Sequence, residues 1–301
     1  MFMSRPLKNV LICVMICCLA VNSFAETHIS LKRAITKKMI SLNALSKGGH
    51  LGKCMKLSIT NTSPKEITID VEPGLIFVPD DTTYQNLVSM GGESVILAPS
   101  ATKEIDLEAF CGKSYARCPW AKTHYNYYRQ GDSNMVKTLA YMKANNVPAD
   151  LVQRAVWVFT NGHCLSTVYS AQYPQESENL IHYLAAVKKL KDPKYYVSSQ
   201  LENRPGRSVI VADREKTFIN MHWKSDEGYR HMRLFVLKEN GAPYKEIEAD
   251  QIIDKYGSTV QVEFDPRHDP HGTYHVVLRD DANKIWDQKT IVVGGNPCAE
   301  Y

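Results

Sequence analysis

Cys54-Met55-Lys56-Leu57-Ser58-Ile59 alternates apolar and polar side chains, Asn61-Thr62-Ser63-Pro64 turns the chain, and Ile67-Thr68-Ile69-Asp70-Val71 resumes the period of two. That order is the signature of antiparallel strands with one face in a core and the other towards solvent. The texture extends from Met39 to about Cys111. Gly74-Leu75-Ile76-Phe77-Val78 reads as a buried strand ended by Pro79-Asp80-Asp81, and Ser94-Val95-Ile96-Leu97 as another ended by Pro99-Ser100. Ile105, Leu107, Ala109 and Cys111 share one face opposite Glu104, Asp106 and Glu108, which directs Cys111 inward at a strand end. At least five such strands predict a small sandwich or barrel.

Past this region the period changes. Asp132 or Ser133 caps a helix carrying Met135, Leu139 and Met142 on one stripe, and Asn145-Asn146 stops it. Pro148 opens a second helix through Leu151, Val152, Ala155, Val156 and Phe159, with Gly162 just past its end. A third is expected across Glu176 to Leu190. Strands followed by helices make an α+β domain, set at residues 26 to 203. Around Asn203-Arg204-Pro205-Gly206 strand texture returns, with six or seven candidates and turns at Glu239-Asn240-Gly241 and Asp281-Ala282-Asn283-Lys284. Gly272-Thr273-Tyr274 leading into Val276-Val277-Leu278-Arg279 resembles the penultimate strand of immunoglobulin-like and fibronectin-type modules common in exported bacterial proteins. That resemblance implies an all-β immunoglobulin-like sandwich over 204 to 295, followed by a short tail at 296 to 301.

The first 25 residues order themselves as a leader: Arg5 and Lys8, then the apolar run Val10 to Val21, then Ser23-Phe24-Ala25. This predicts a signal peptide cleaved before Glu26 and a secreted chain, periplasmic, cell-surface or extracellular. The run is shorter than a membrane span, and none of Cys13, Cys17 or Cys18 sits in a lipid-attachment motif. Two of the 36 Lys and Arg fall in the leader, so 34 face 32 Asp and Glu in the remainder. The near-neutral, dispersed charge argues against nucleic acid, and no later apolar run approaches a membrane span. No cofactor motif is present.

Five of the eight cysteines lie beyond the leader: Cys54, Cys111, Cys118, Cys164 and Cys298. In an oxidising compartment an odd number leaves at least one sulfur outside intrachain disulfides. No C-x-x-C or zinc-type spacing accounts for it, and the pairing stays open; Cys111–Cys118 would close one short loop.

Phe110-Cys111 at a strand end and Val152-Gln153-Arg154-Ala155-Val156-Trp157 on a helix resemble the two signatures of the thioester domains of bacterial surface adhesins. The resemblance covers about 50 residues. It implies Cys111 as the sulfur, Gln153 as the acyl carrier and Trp157 as its shield, in a bond that later acylates an amine. The family's Thr is Val152 here. The chemistry suits the residues, because a thiol displaces ammonia from a carboxamide and a dry wall preserves the product. The alternative is a disulfide half beside an ordinary packed helix.

Other candidates carry their own structural readings. Asn161-Gly162-His163-Cys164 places a thiol beside an imidazole but reads first as a helix stop with a structural cysteine. Asp265-Pro266-Arg267-His268-Asp269-Pro270-His271 offers Asp265, His268, Asp269 and His271 to a metal, or forms a rigid loop. Trp120, His124, Tyr125, Tyr127, Tyr128 and Arg129 form an aromatic, polar-tipped segment expected as a loop, suited to a protein or glycan surface. The favoured expectation is therefore non-catalytic recognition at or outside the cell envelope. Covalent adhesion or acyl transfer through Cys111 and Gln153 is the second, and an extracytoplasmic hydrolase without a recognisable motif the third.

Overall fold

A computed structural model describes residues 28–204, 207–223, 231–248, 258–295 and 298. The expected leader, with Cys13, Cys17 and Cys18, lies outside the described residues, as do the Pro205-Gly206 turn and most of the tail. The chain is β-rich, with four α-helices among the described residues.

The first part runs β1 (His28–Ser30), α1 (Leu31–Thr36), β2 (Ile40–Ser46), β3 (Met55–Asn61), β4 (Ile67–Val71), β5 (Leu75–Pro79), β6 (Leu87–Ser89), β7 (Glu93–Leu97), β8 (Thr102–Leu107), β9 (Ala109–Cys111) and β10 (His124–Gln130). Then come α2 (Ser133–Ala144), α3 (Ala149–Thr160) and α4 (Pro174–Lys188). A seven-stranded sheet has the order β8-β3-β2-β10-β5-β6-β9, and β1-β4-β7 form a second sheet. Alternation in β3 sends Met55, Leu57 and Ile59 into a core shared with Ile67, Ile69, Val95 and Leu97 of the small sheet.

The stretch Ile105 to Cys111, expected as the end of one strand, is two strands on opposite edges of the large sheet. β8 pairs with β3 and β9 with β6, yet only Glu108 separates them. The sheet therefore curls until its edges meet at one corner. The period of two passes unbroken through Glu108, which is why the two strands read as one. The aromatic segment from Trp120 to Arg129, expected as a loop, runs into β10, an interior strand paired with both β2 and β5.

The helices form where their caps place them. Asp132 accepts a hydrogen bond from the Met135 N–H at the start of α2, and Asn146 leaves α2 with a positive φ. They cover the outer face of one half of the large sheet, where Ile76, Val88 and Phe110 meet Leu139, Val152, Ala155, Val156 and Leu184. α3 is buried around most of its circumference, between β9 and a 3-10 turn at Leu165–Val168.

The second part runs β11 (Tyr196–Arg204), β12 (Arg207–Trp223), β13 (Met232–Lys238), β14 (Pro243–Glu248), β15 (Ser258–Phe264), β16 (Gly272–Asp280) and β17 (Ile285–Val293). Sheets β11-β12-β15 and β14-β13-β16-β17 enclose a core of Ile219, Met221, Leu234, Val236, Val262, Phe264, Val276, Leu278 and Ile291. Both expected turns appear, after β13 and after β16. β11 belongs to this group through its ladder with β12, so the change of sheet falls before Tyr196, ahead of the expected boundary at 204.

The two parts touch through β12. Ile219 and Met221 face its own core, whereas Phe218 joins the helical layer and Asn220 donates to Glu178 Oε1 at 2.7 Å. Tyr169 stacks on Tyr196 with ring centroids 4.5 Å apart, and a disulfide joins Cys164 to Cys298.

Candidate functional site

The corner where the sheet edges meet must solve a hydrogen-bonding problem. In β9, Phe110 pairs with Val88, so the backbone groups of Ala109 and Cys111 point away from β6 and need other partners. The loop between β2 and β3 supplies some of them. The Ala109 N–H donates to the Gly52 carbonyl at 2.8 Å and the Cys111 N–H to the His50 carbonyl at 3.0 Å. Gly48, Gly49 and Gly52 all hold φ between 78° and 90°, so this loop needs glycine to present those carbonyls.

Gln153 supplies the rest. The Cys111 N–H also donates to Gln153 Oε1 at 2.9 Å, and Gln153 Nε2 donates to the Cys111 carbonyl at 2.8 Å. The carboxamide stands in for a strand on the edge of β9, and Gln153 is 1% exposed. Cys111 and Gln153, named together from the sequence, are thus brought into contact. Their contact runs through the Cys111 backbone. The sulfur points the other way, into the core with Cys54 and Tyr125, while the neighbouring Phe110 faces α3.

Trp157, one turn further along α3, is buried with its ring 5.6 Å from that of His163, and its Nε1 has no hydrogen-bond partner among the described residues. His163 Nε2 lies 3.0 Å from Ser114 Oγ, and Asn161 Oδ1 accepts from the Ser114 N–H at 3.0 Å. Burial lowers the basicity of His163. Since Cys164 is bonded to Cys298, the adjacent His163–Cys164 pair offers no thiol nucleophile.

Three thiols gather at the corner. The Cys54 thiol donates to the Ala109 carbonyl at 3.3 Å, and burial raises its pKa to about 11. Burial also pushes the Cys111 thiol well up, and the neighbouring Cys118 thiol adds to it. Cys118 is half-buried, and its thiol beside His50 raises the His50 pKa against the opposing effect of burial, with the Asp150 charge helping. The cysteine count brings Cys118 into view but not His50. Its signal was the glycine-flanked Gly49-His50-Leu51-Gly52, whose backbone demands say nothing about where the imidazole goes.

The aromatic segment divides by strand alternation. Tyr125 is 2% exposed and its hydroxyl donates to the Gln85 carbonyl at 2.8 Å, so it is a core residue and not the binding residue expected. Tyr127 is half-buried, edge-on to Phe77. His124, Asn126 and Tyr128 face outward: Asp80 holds His124 Nδ1 at 2.9 Å and Asn126 Nδ2 at 2.6 Å, and the Arg129 guanidinium sits 5.9 Å from the Tyr128 ring centre. Trp120 and Tyr128 are 66% and 65% exposed.

The acidic loop after β15 uses its carboxylates internally. Asp265 grips Arg267 through two hydrogen bonds of 2.9 and 2.6 Å, which hold its carboxyl below the usual range. Asp269 accepts from the Asp265 N–H at 2.8 Å and from Tyr244 at 2.8 Å, and pairs with Lys245 at 2.5 Å. His268 and His271 do not converge with them: among the described residues no group of three His, Cys, Asp or Glu is placed to hold a metal.

No protein-family model and no curated protein matches the chain. Among solved structures, a red sea bream transglutaminase aligns with 88% of this chain and 33% of its own length, at 8% identity and a TM-score of 0.20. The chain thus spans about a third of that protein, and a likeness so slight carries no argument about fold or activity.

Proposed function

We propose that the chain is an exported recognition protein whose ligand surface is the open half of the curled sheet, β10-β2-β3-β8. One observation carries this reading: the helices bury the outer face of β5, β6 and β9, while the outer face of the other four strands is partly or fully exposed and carries hydrogen-bonding side chains. Asn43, Ser58, Thr60, Thr102, Glu104 and Asn126 lie there, with Tyr128 at one end of β10 and Trp120 preceding the other. Flat aromatic rings beside amide and hydroxyl groups suit a glycan or the polar surface of a protein. Export is supported by the Cys164–Cys298 disulfide, and no helix among the described residues is long and apolar enough to cross a membrane. The seven strands of the second part are the number an immunoglobulin-like module uses, and we assign them that role as a spacer or second contact. Replacing both Trp120 and Tyr128 with Ala is expected to abolish retention on glycan arrays or envelope fractions without altering the melting curve. Unchanged retention would remove this surface from consideration.

A second reading keeps Cys111 and Gln153 as an acyl-transfer pair, supported by their two hydrogen bonds inside a water-poor corner. The Cys111 sulfur would displace ammonia from the Gln153 carboxamide, giving a protein about 17 Da lighter and reactive towards methylamine. Since the sulfur faces the opposite core, the reading requires Cys111 to turn its side chain towards α3. An intact mass without that loss, on protein purified without amines, rejects it.

A further inference from the structure

We propose that Ser114 and His163 form a nucleophile–base dyad that cleaves short-chain carboxylic esters. In sequence the neighbour of His163 is a thiol, and the Cys164–Cys298 bond takes that thiol away. The fold gives the same imidazole another nucleophile, 49 residues distant in the chain: Ser114 Oγ lies 3.0 Å from His163 Nε2.

Both members are held by the turn that ends α3. Gly162, at a φ of 67°, bends the chain there, and the His163 N–H donates to the Trp157 carbonyl at 3.3 Å, which sets the imidazole beside the Trp157 ring. Asn161, in the same turn, accepts from the Ser114 N–H at 3.0 Å, so one turn fixes the backbone of the serine and contacts its hydroxyl. Burial lowers the basicity of His163 and leaves the imidazole uncharged near neutral pH; with its proton on Nδ1, Nε2 accepts from the Ser114 hydroxyl. A hydroxyl paired in this way with a neutral base is an activated nucleophile. Both side chains are half-buried, within reach of a small molecule. Trp157, 6% exposed, is a second sign of a ligand: the ring that walls the imidazole carries a buried N–H donor without an acceptor among the described residues. Because that ring closes the inner side of the site, the acyl group it takes is short, and the exposed Tyr115 next to the serine offers a ring to the rest of the ester.

The reaction needs only the ester and water. Ser114 Oγ attacks the ester carbonyl carbon while its proton passes to His163 Nε2. The tetrahedral intermediate then collapses: the bond to the alcohol oxygen breaks, that oxygen takes the imidazolium proton, and the acyl group stays on Ser114. Water attacks the acyl carbon next and gives a proton to Nε2, and Ser114 Oγ leaves and recovers that proton. One ester and one water become one carboxylic acid and one alcohol, with the dyad restored.

The test is incubation of the full chain with a fluorophosphonate, which phosphonylates activated serines with loss of fluoride, followed by intact mass and tryptic digestion. The expected result is a single adduct on Ser114. Lys113 and Arg117 bracket that residue, so trypsin releases Ser114-Tyr115-Ala116-Arg117, and fragmentation of this peptide separates the serine from Tyr115. The parent should also hydrolyse p-nitrophenyl acetate. Ser114→Ala should abolish both reactions with an unchanged melting curve, and His163→Gln should slow both by about a hundredfold. An unlabelled parent, an adduct on any other residue, or ester hydrolysis that survives Ser114→Ala would overturn the proposal. A labelling rate indifferent to His163→Gln would overturn the role of the imidazole. The site of the adduct is read on the parent alone, so the test stays decisive even where a variant fails to fold. None of these readouts involves Trp120, Tyr128, Cys111 or Gln153, so the outcome is independent of the recognition surface and of the thioester.

Discussion

The two halves of the curled sheet obey the same alternation and meet different fates on their outer face. On β5, β6 and β9 the outward side chains are Ile76, Val88 and Phe110, and a layer of helices covers them. On β10, β2, β3 and β8 the outward positions carry Asn126, Asn43, Ser58 and Glu104, joined by surface contacts such as Lys56–Glu104 at 2.9 Å and Thr60–Thr102 at 2.8 Å. The side chains decide which receives a helical layer and which stays open, because apolar area left in water costs about 25 cal/mol per Å² while amides and hydroxyls lose little there.

That contrast is open to attack at four points. Phe110→Ala on the covered half should destabilise by about 3–5 kcal/mol in chemical denaturation, against less than about 0.5 kcal/mol for Ser58→Ala on the open half. Equal costs would mean that the helices are not held by the sheet. Gln153→Ala should cost about 2–3 kcal/mol, because it leaves the buried Cys111 carbonyl without its partner. If that loss were below about 0.5 kcal/mol, the carboxamide would have no part in closing the edge of β9.

Within β10 the same comparison can be made on opposite faces of one strand. Tyr125→Phe removes the hydroxyl that satisfies the Gln85 carbonyl and should cost about 1 kcal/mol, whereas Tyr128→Phe should leave thermal stability unchanged. The smallest effect concerns His50. Its pKa is raised in the folded protein, so its contribution is fully present below the ordinary value of 6.5 and is lost as pH rises through the higher folded value. In reductant, the stability gap between the parent and His50→Gln should therefore narrow above about pH 6.5, read from urea midpoints across a pH series. A gap that widened with pH would mean that folding lowers the His50 pKa instead of raising it.

Much of this was legible in the residues, for identifiable reasons. β3 and β4 announced themselves because Met55, Leu57, Ile59 and Ile67, Ile69, Val71 keep strict alternation, and α2 because Asp132 and Asn145 mark its ends. α1, at six residues, is too short to show a period. β10 reads as a loop because its inward residues are tyrosines: Tyr125 and the half-buried Tyr127 meet the core with rings whose hydroxyls read as polar. The closing of the sheet left no trace, since a strand that exchanges one partner for another across a single Glu keeps its pattern. The Cys111–Gln153 contact was legible because both residues sit in recognisable local sequences. The Cys118–His50 contact was not, because it depends on a glycine loop folding across the edge of β9.

The Cys164–Cys298 bond closes a span of 134 residues that includes α4 and all seven strands of the second part. One proteolytic cut anywhere inside that span yields two polypeptides that remain a single covalent molecule, visible as one band on a gel until reductant is added. If the proposed export brings the chain among proteases, a nicked copy keeps the second set of strands tethered to the helices instead of shedding them.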